Sequence, residues 1–227
     1  MHLRAMGLVI GGLLVGFVPS FAFAVGGMDS GGGDIRKADY GAAWFLGSRE
    51  IRYCAEVSST FGVDQSEVLA TVERAFGKWR NYLSKRRVHL DWPTEERISL
   101  RSRAMSSCDG SEDLKFYFGV ESPESIEAKK EYSNPVAFAH RRSYDMDKGW
   151  GSGFVWIATP GTVMENFPDW EKPGRLEGIL LHELGHVAGC DHVPGTIMDR
   201  EIGKFVKNVE SYTGGGNTPE VPYGRLL

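Results

Sequence analysis

The chain has 227 residues and a formal net charge of −4; 41% of the residues are hydrophobic and 25% are charged. This composition is ordinary for a globular protein with a hydrophobic core, and it excludes a disordered, collagen-like or polytopic membrane chain. Without an excess of basic residues it also argues against nucleic-acid binding, which depends on concentrated positive charge.

The first 24 residues have the pattern of a secretory signal peptide. Arg4 precedes an apolar run over Ala5–Val18, and the small-residue pattern Ala22-Phe23-Ala24 follows. A positive start, a short apolar segment and an A-x-A site are typical of a cleaved signal. The alternative is an uncleaved anchor, although the run is short for a membrane span. We expect cleavage after residue 24 and a secreted or periplasmic protein without membrane contact, in an oxidising compartment.

The remaining chain is predicted to form one domain after a flexible start. Residues 25–48 include five glycines between 25 and 33 and no sizeable apolar cluster, so we predict a flexible segment there and a folded domain over 49–227. Apolar residues alternate over 51–57, which predicts a half-buried strand. Asp64 and Glu67 then form a capping-box pattern, and the apolar residues from 68 to 83 recur at helical spacing.

Short strands and a second helix are predicted after the long helix. The polar stretch 121–134 indicates a loop or a short helix, and Pro173-Gly174 precedes a helix over 175–187. The tail after Tyr212 is rich in Gly and Pro. The predicted strands are 88–92, 98–101, 114–120, 136–140 and 154–158. A strand, a helix, several strands and a second helix indicate a single α+β domain.

The chemistry-bearing motif is His-Glu-Leu-Gly-His-Val-Ala-Gly-Cys-Asp-His at 182–192. His182 and His186 are four residues apart, so on a helix they share one face and reach one metal ion, with Glu183 beside them as a base. Gly189 can adopt the left-handed conformation that ends a helix, and the resulting turn would bring His192 to the same ion. Three neutral nitrogens leave one open position, as in a catalytic zinc site. The alternative is a surface helix with three histidines, but three of the chain's six histidines lie in these eleven residues.

This motif resembles the extended zinc motif of the metzincin metallopeptidases. Thr196-Ile197-Met198-Asp199 follows it and is similar to that family's Met-turn, which would place Met198 beneath the metal. The order of predicted strands and helices over residues 50–205 is matrixin-like. The resemblance implies a zincin-like α+β domain with a twisted mixed sheet, a long N-terminal helix and a metal-binding active-site helix.

The resemblance also implies an activity, that of an exported zinc-dependent endopeptidase. One catalytic zinc would polarise the scissile carbonyl, Glu183 would act as general base, and a protein or peptide substrate would add as a strand along 136–140. Two alternatives stay open: a catalytically idle zinc-binding domain used in adhesion or recognition, and a zinc hydrolase that acts on other substrates.

Some positions depart from the family pattern. Arg200 stands where some members carry a tyrosine ligand, and the segment before Ile51 is short for a folded matrixin prodomain. Outside the motif the mature chain has only His89 and His140, so we do not expect a second, structural zinc. We interpret His140 as a strand residue near the cleft rather than a ligand.

Two further acidic segments raise hypotheses about ligands. Asp145-Met146-Asp147-Lys148-Gly149 resembles part of a calcium loop but lacks the later acidic ligand, and the alternative is a plain polar turn. Gly31-Gly32-Gly33-Asp34-Ile35 resembles the aspartate switch of astacin-like enzymes; Asp29 and Asp39 are the neighbouring carboxylates. Residues 25–48 would then be an inhibitory pro-segment; the alternative is a tail with no role.

The three cysteines are Cys54, Cys108 and Cys190. An odd number in an exported protein indicates one disulfide and one free thiol, with three reduced thiols as the alternative. We favour a Cys54–Cys108 bridge, because Cys190 follows Gly189, where the metal would dictate the course of the chain.

Overall fold

The computed structural model describes residues 43–84, 98–132, 135–161, 174–190, 192 and 197–199. These ranges contain five strands and three helices, in agreement with the predicted α+β class. In chain order they are β1 (Ile51–Val57), α1 (Gln65–Ser84), β2 (Ser102–Ala104), β3 (Leu114–Phe118), α2 (Pro123–Lys129), β4 (Ala137–Asp145), β5 (Trp150–Ile157) and α3 (Arg175–Val187). The predicted signal peptide, the strand over 88–92, Asp34, His89, Arg200 and the tail after 212 lie outside the described residues.

The five strands form one mixed sheet in the order β2-β1-β3-β5-β4. β1 pairs in parallel with β2 and β3, and β3 pairs in parallel with β5. β4 runs antiparallel to β5 and is an edge strand of this sheet. The mixed sheet agrees with the expected one, and the strand predicted over 136–140 is part of the longer β4.

The prediction of a strand over 98–101 is wrong, because the strand begins later, at Ser102. Ile98 instead forms an isolated bridge with Leu46, and the Ser99 N–H donates to the Phe45 carbonyl over 2.9 Å. Residues 98 and 99 therefore pair with the N-terminal part of the described chain rather than with β1.

The start of the domain at residue 49 is also predicted too late. Trp44 and Phe45 are fully buried, and Phe45 bridges to Trp150 at the start of β5. The ring centroids of Phe45 and Trp150 lie 4.8 Å apart. Residues 43–46 thus belong to the folded core, although the glycine-rich composition upstream predicts a flexible segment through 48.

The sheet separates a large core from a small one. The face that packs against α1 and α3 carries most of the buried apolar side chains, including Tyr53, Phe116 and Val155. The other face carries a second cluster that contains Ala128 of α2. Its aromatic members are Tyr117, Phe138, Phe154 and Trp156. The two clusters follow from strands in which successive side chains point to opposite faces.

Local sequence signals account for the helices. The Asp64 carbonyl accepts the backbone bond from the Val68 N–H at the start of α1. α2 begins with a capping box in which Ser122 and Ser125 bond to each other's backbone N–H groups. α3 spans the predicted residues 175–187.

One disulfide joins Cys54 of β1 to Cys108, as predicted, and Cys190 is a buried free thiol. A structural disulfide is typical of an oxidising, extracellular setting. None of the described helices combines the length and the apolar composition that crossing a membrane requires.

The disulfide closes a long loop, since its cysteines are 54 residues apart in the sequence. We expect the double variant Cys54→Ser/Cys108→Ser to lose about 4 kcal/mol of unfolding free energy, because the unfolded chain regains the entropy of the open loop. Urea unfolding at fixed metal concentration measures this loss. Wild-type protein reduced with a thiol should match the variant, and equal midpoints for the oxidised protein and the variant would contradict the prediction.

Candidate metal centre

Helix α3 and the turn after it supply the histidines of the site. His182 and His186 lie on the last turns of α3, where nearly every side chain is buried. The backbone leaves the helix at Gly189, which has a φ of 86° in the left-handed region. The Gly189 N–H donates to the His186 carbonyl, and the Cys190 N–H donates to the Gly185 carbonyl. The predicted turn is therefore present, and it returns the chain towards the helix, so that His192 joins the other two histidines.

The three histidines form a cluster that could hold a metal ion. One ring nitrogen from each of His182, His186 and His192 lies within 4.8 Å of the other two. The ring centroids of His182 and His186 are 4.8 Å apart, and those of His186 and His192 are 4.7 Å apart. Among the described residues, no other group of three or more metal-ligating side chains comes together in this way.

Backbone carbonyls fix the tautomer of two of the rings. His182 Nδ1 lies 2.8 Å from the Ile197 carbonyl oxygen, and His186 Nδ1 lies 2.9 Å from the Cys190 carbonyl oxygen. A carbonyl only accepts, so both Nδ1 atoms carry the proton and donate it. Each Nε2 atom is then left with a lone pair. This is the arrangement in which a histidine binds a metal through one nitrogen and is oriented through the other.

The separation of the two Nε2 atoms fits a shared metal ion. They lie 3.2 Å apart and, with both Nδ1 atoms protonated, have no proton between them to form a hydrogen bond. Two lone pairs at this distance repel each other unless a cation lies between them. In a tetrahedral site with metal–nitrogen bonds of about 2.0–2.1 Å, ligand atoms are about 3.3 Å apart. The spacing of this pair of nitrogens therefore fits two ligands of one metal ion.

Burial keeps His182 and His186 in the neutral form that a metal requires. Without a metal ion, burial and then repulsion from His192 lower the pKa of His182 to about 3. Burial, followed by the charges of His182 and His192, lowers the pKa of His186 well below its usual value. Neutral imidazoles need not release a proton before they bind a metal.

Glu183 lies on α3 directly after His182 and is also fully buried. Burial raises the pKa of its carboxyl group well above the usual value, and the nearby backbone N–H of Ala139 in β4 opposes that rise. No well-formed hydrogen bond from the described part of the chain reaches either carboxylate oxygen. A buried carboxylate without partners is costly, and it marks Glu183 as a candidate reactive group.

Met198 lies against α3, with no exposed surface. A Cβ atom added to Gly185 would lie 2.2 Å from Met198 Sδ and 3.0 Å from the Trp79 ring. Because Gly185 has no side chain, Met198 can approach α3 between His182 and His186. Ile197, next to Met198, carries the carbonyl that orients His182. The segment predicted as a Met-turn therefore packs against α3 through Met198 and orients His182 through the Ile197 carbonyl.

The other sequence-predicted candidates do not belong to the cluster. His140 is on β4 and packs against Phe154, with ring centroids 5.2 Å apart, as expected for a strand residue. Asp145 ends β4 and pairs with Lys148, whose backbone N–H also donates to it. The side chain of Lys148 supplies a positive charge at this carboxylate, and the segment forms the turn of the β4–β5 hairpin. Calcium binding there stays a hypothesis.

No model of a known protein family matches this chain, and no curated protein is significantly similar to it. The interpretation of the site therefore depends on its own geometry. The motif predicts the three histidines, Glu183 and the Gly189 turn. It does not predict the carbonyl partners at Ile197 and Cys190 or the role of Gly185, because a backbone acceptor leaves no mark in the sequence.

The contact between Gly185 and Met198 predicts opposite effects for two Gly→Ala substitutions in helices. Gly185→Ala should lower the unfolding free energy by about 1–3 kcal/mol, because the new methyl group overlaps Met198. Gly77→Ala in α1 is the matched control, since its Cβ would meet only an Arg80 guanidinium nitrogen at 3.7 Å. We expect that variant to gain about 0.5–1 kcal/mol from helix propensity.

Urea unfolding of the metal-free proteins measures both changes. Zinc affinity, measured by competition with a chelating dye, should fall in Gly185→Ala and stay unchanged in Gly77→Ala. A Gly185→Ala protein as stable as the wild type would show that the Met198 contact is not tight.

Proposed function

We propose that this protein is an exported zinc-dependent endopeptidase with a zincin-like fold of the metzincin type. The observation that carries the proposal is the convergence of three histidines beside Glu183, a buried carboxylate with no hydrogen-bond partner among the described residues. A metal site that serves only the fold is closed by four protein ligands, whereas three ligands and an adjacent base suit hydrolysis.

Zinc is the metal that suits this donor set best. Imidazole nitrogens bind zinc well, and three of them leave one coordination position open. When bound, the zinc would act as a Lewis acid on a carbonyl oxygen and lower the pKa of water.

Glu183 is the residue proposed to move the proton. It would take a proton from the water that attacks the peptide carbonyl and transfer it to the leaving amine. The water oxygen becomes part of the new carboxyl group, and the amide C–N bond breaks.

The edge strand β4 offers a binding surface for an extended peptide. The Ala158 N–H donates to the Val136 carbonyl over 2.8 Å, which directs the backbone groups of Phe138 and His140 at β5. The backbone groups of Ala137 and Ala139 consequently face away from β5. Ala139 is also the residue whose N–H approaches Glu183. A peptide that pairs with this edge would lie alongside the proposed base, and its binding would rest on main-chain hydrogen bonds.

The proposal predicts loss of activity without loss of metal in Glu183→Gln. A general base contributes on the order of 100- to 10,000-fold, so hydrolysis of a mixed peptide library should fall by that factor while about one zinc per chain is retained. Mass spectrometry of the library and elemental analysis of the protein measure the two quantities. Glu127→Gln is the matched control, because Glu127 is an exposed glutamate of α2 that pairs with Lys130.

The variant His186→Ala separates metal binding from proton transfer. It should lose both zinc and hydrolysis. When a chelator has removed the metal from both proteins, added zinc should restore the activity of the wild type but not that of His186→Ala. Full hydrolysis by Glu183→Gln would contradict the assigned base. Bound zinc without any hydrolysis by the wild type would favour a recognition domain instead.

A further inference from the structure

The described chain begins with a short segment that lies between the metal-binding helix and the sheet. We call residues 43–46 the N-terminal strap. The Trp44 N–H donates to the Val187 carbonyl over 2.9 Å, and the Trp44 carbonyl accepts from the Gly151 N–H over 2.6 Å. The backbone of one residue thus bonds to the last residue of α3 on one side and to β5 on the other.

The bond to Val187 satisfies a group that the helix itself cannot. The last carbonyls of a helix have no partner within it, and α3 ends at Val187. Val187 directly follows His186 and lies two residues before Gly189, where the chain turns towards His192. A shift of this helix end would therefore move His186 and the start of the turn together.

The indole of Trp44 fits a notch in the sheet. It is fully buried, and a Cβ atom on Gly153 would lie only 2.4 Å from its Cζ3 atom. Gly153 pairs with Arg141 of β4, so the ring packs beside the edge strand. The Trp44 Nε1 atom has no hydrogen-bond partner among the described residues. The contribution of the ring to this contact is consequently one of shape and packing.

We infer that Trp44 is a positioning residue for the metal centre: it fixes the C-terminal end of α3 relative to the β4–β5 edge. Its backbone sets the position of the helix end, and its ring in the Gly153 notch sets the position of that backbone. The effect on the metal follows from the histidine cluster alone. The effect on catalysis rests on the proposed function, since it requires a substrate on the β4 edge.

The experiment compares Trp44→Leu and Trp44→Phe with the wild type in the full chain. Residues that orient metal ligands from outside the coordination shell typically change metal affinity by about 10- to 100-fold. Trp44→Leu should weaken zinc binding by that factor and alter the visible absorption of the cobalt(II)-substituted protein, which reports coordination geometry. Trp44→Phe should recover most of both, because it restores a ring over Gly153.

A loss of general stability must be distinguished from a loss of positioning. Phe76→Leu is the control, because Phe76 is a fully buried ring of α1 that packs against Tyr53 and Phe116 in the core. It should lower the unfolding midpoint and leave zinc affinity and the cobalt spectrum unchanged.

Wild-type zinc affinity with an unchanged cobalt spectrum in the folded Trp44 variants would overturn the proposal. So would equal losses in Phe76→Leu. If Trp44→Leu does not fold, Trp44→Phe decides the question. A small but measurable loss of zinc affinity in Trp44→Phe is then expected, and an unchanged zinc affinity would contradict the proposal. Peptide hydrolysis is measured separately: its absence from the wild type would overturn the proposed function, whereas the metal measurements would still decide the role of Trp44.

Discussion

The two Nε2 atoms of His182 and His186 face each other across 3.2 Å, and much of the structure serves to keep them there. Their Nδ1 atoms are held by carbonyls at 2.8 and 2.9 Å, so neither ring can turn away without breaking a buried hydrogen bond. In an apolar interior such a bond is costly to lose. The site is thus arranged for a cation before one binds, which reduces the ordering that binding must impose.

Rigidity at this point requires support from several directions. α1 packs along α3, and the side chains of Arg74 and Lys78 form ion pairs with Glu177 in the first turn of α3. Met198 supports the middle of the helix through the space left by Gly185. The N-terminal strap binds its end through Trp44. A helix held at its start, middle and end can present side chains four residues apart in a fixed orientation.

Much of this arrangement can be predicted from the sequence, because it follows from periodicity. The spacing of His182 and His186 indicates one helical face, and Gly189 indicates the turn that follows. The residue ranges predicted for β1 and α3 agree with the structure. The Cys54–Cys108 bridge also agrees with the structure. It could be predicted because Cys190 follows Gly189 beside the site, which argues against a disulfide at Cys190.

The parts that sequence reasoning missed are long-range pairings. Residues 98 and 99 pair with the N-terminal strap, and Trp44 fits against Gly153; neither pairing has a local pattern. A glycine-rich stretch upstream indicates flexibility, whereas two adjacent aromatic residues are enough to anchor the strap in the core. Backbone carbonyls at Ile197 and Cys190 orient His182 and His186, and any residue type could supply such a carbonyl.

The tautomers of the histidines test this account most directly. Long-range proton–nitrogen NMR spectra distinguish protonated from metal-bound ring nitrogens. They are recorded on the metal-free protein, prepared with a chelator that is then removed, before and after one equivalent of zinc is added. We predict that His182 and His186 are protonated at Nδ1 in both states and that their Nε2 resonances shift when zinc binds. A protonated Nε2 that persists in the presence of zinc, or coordination through Nδ1, would contradict the account.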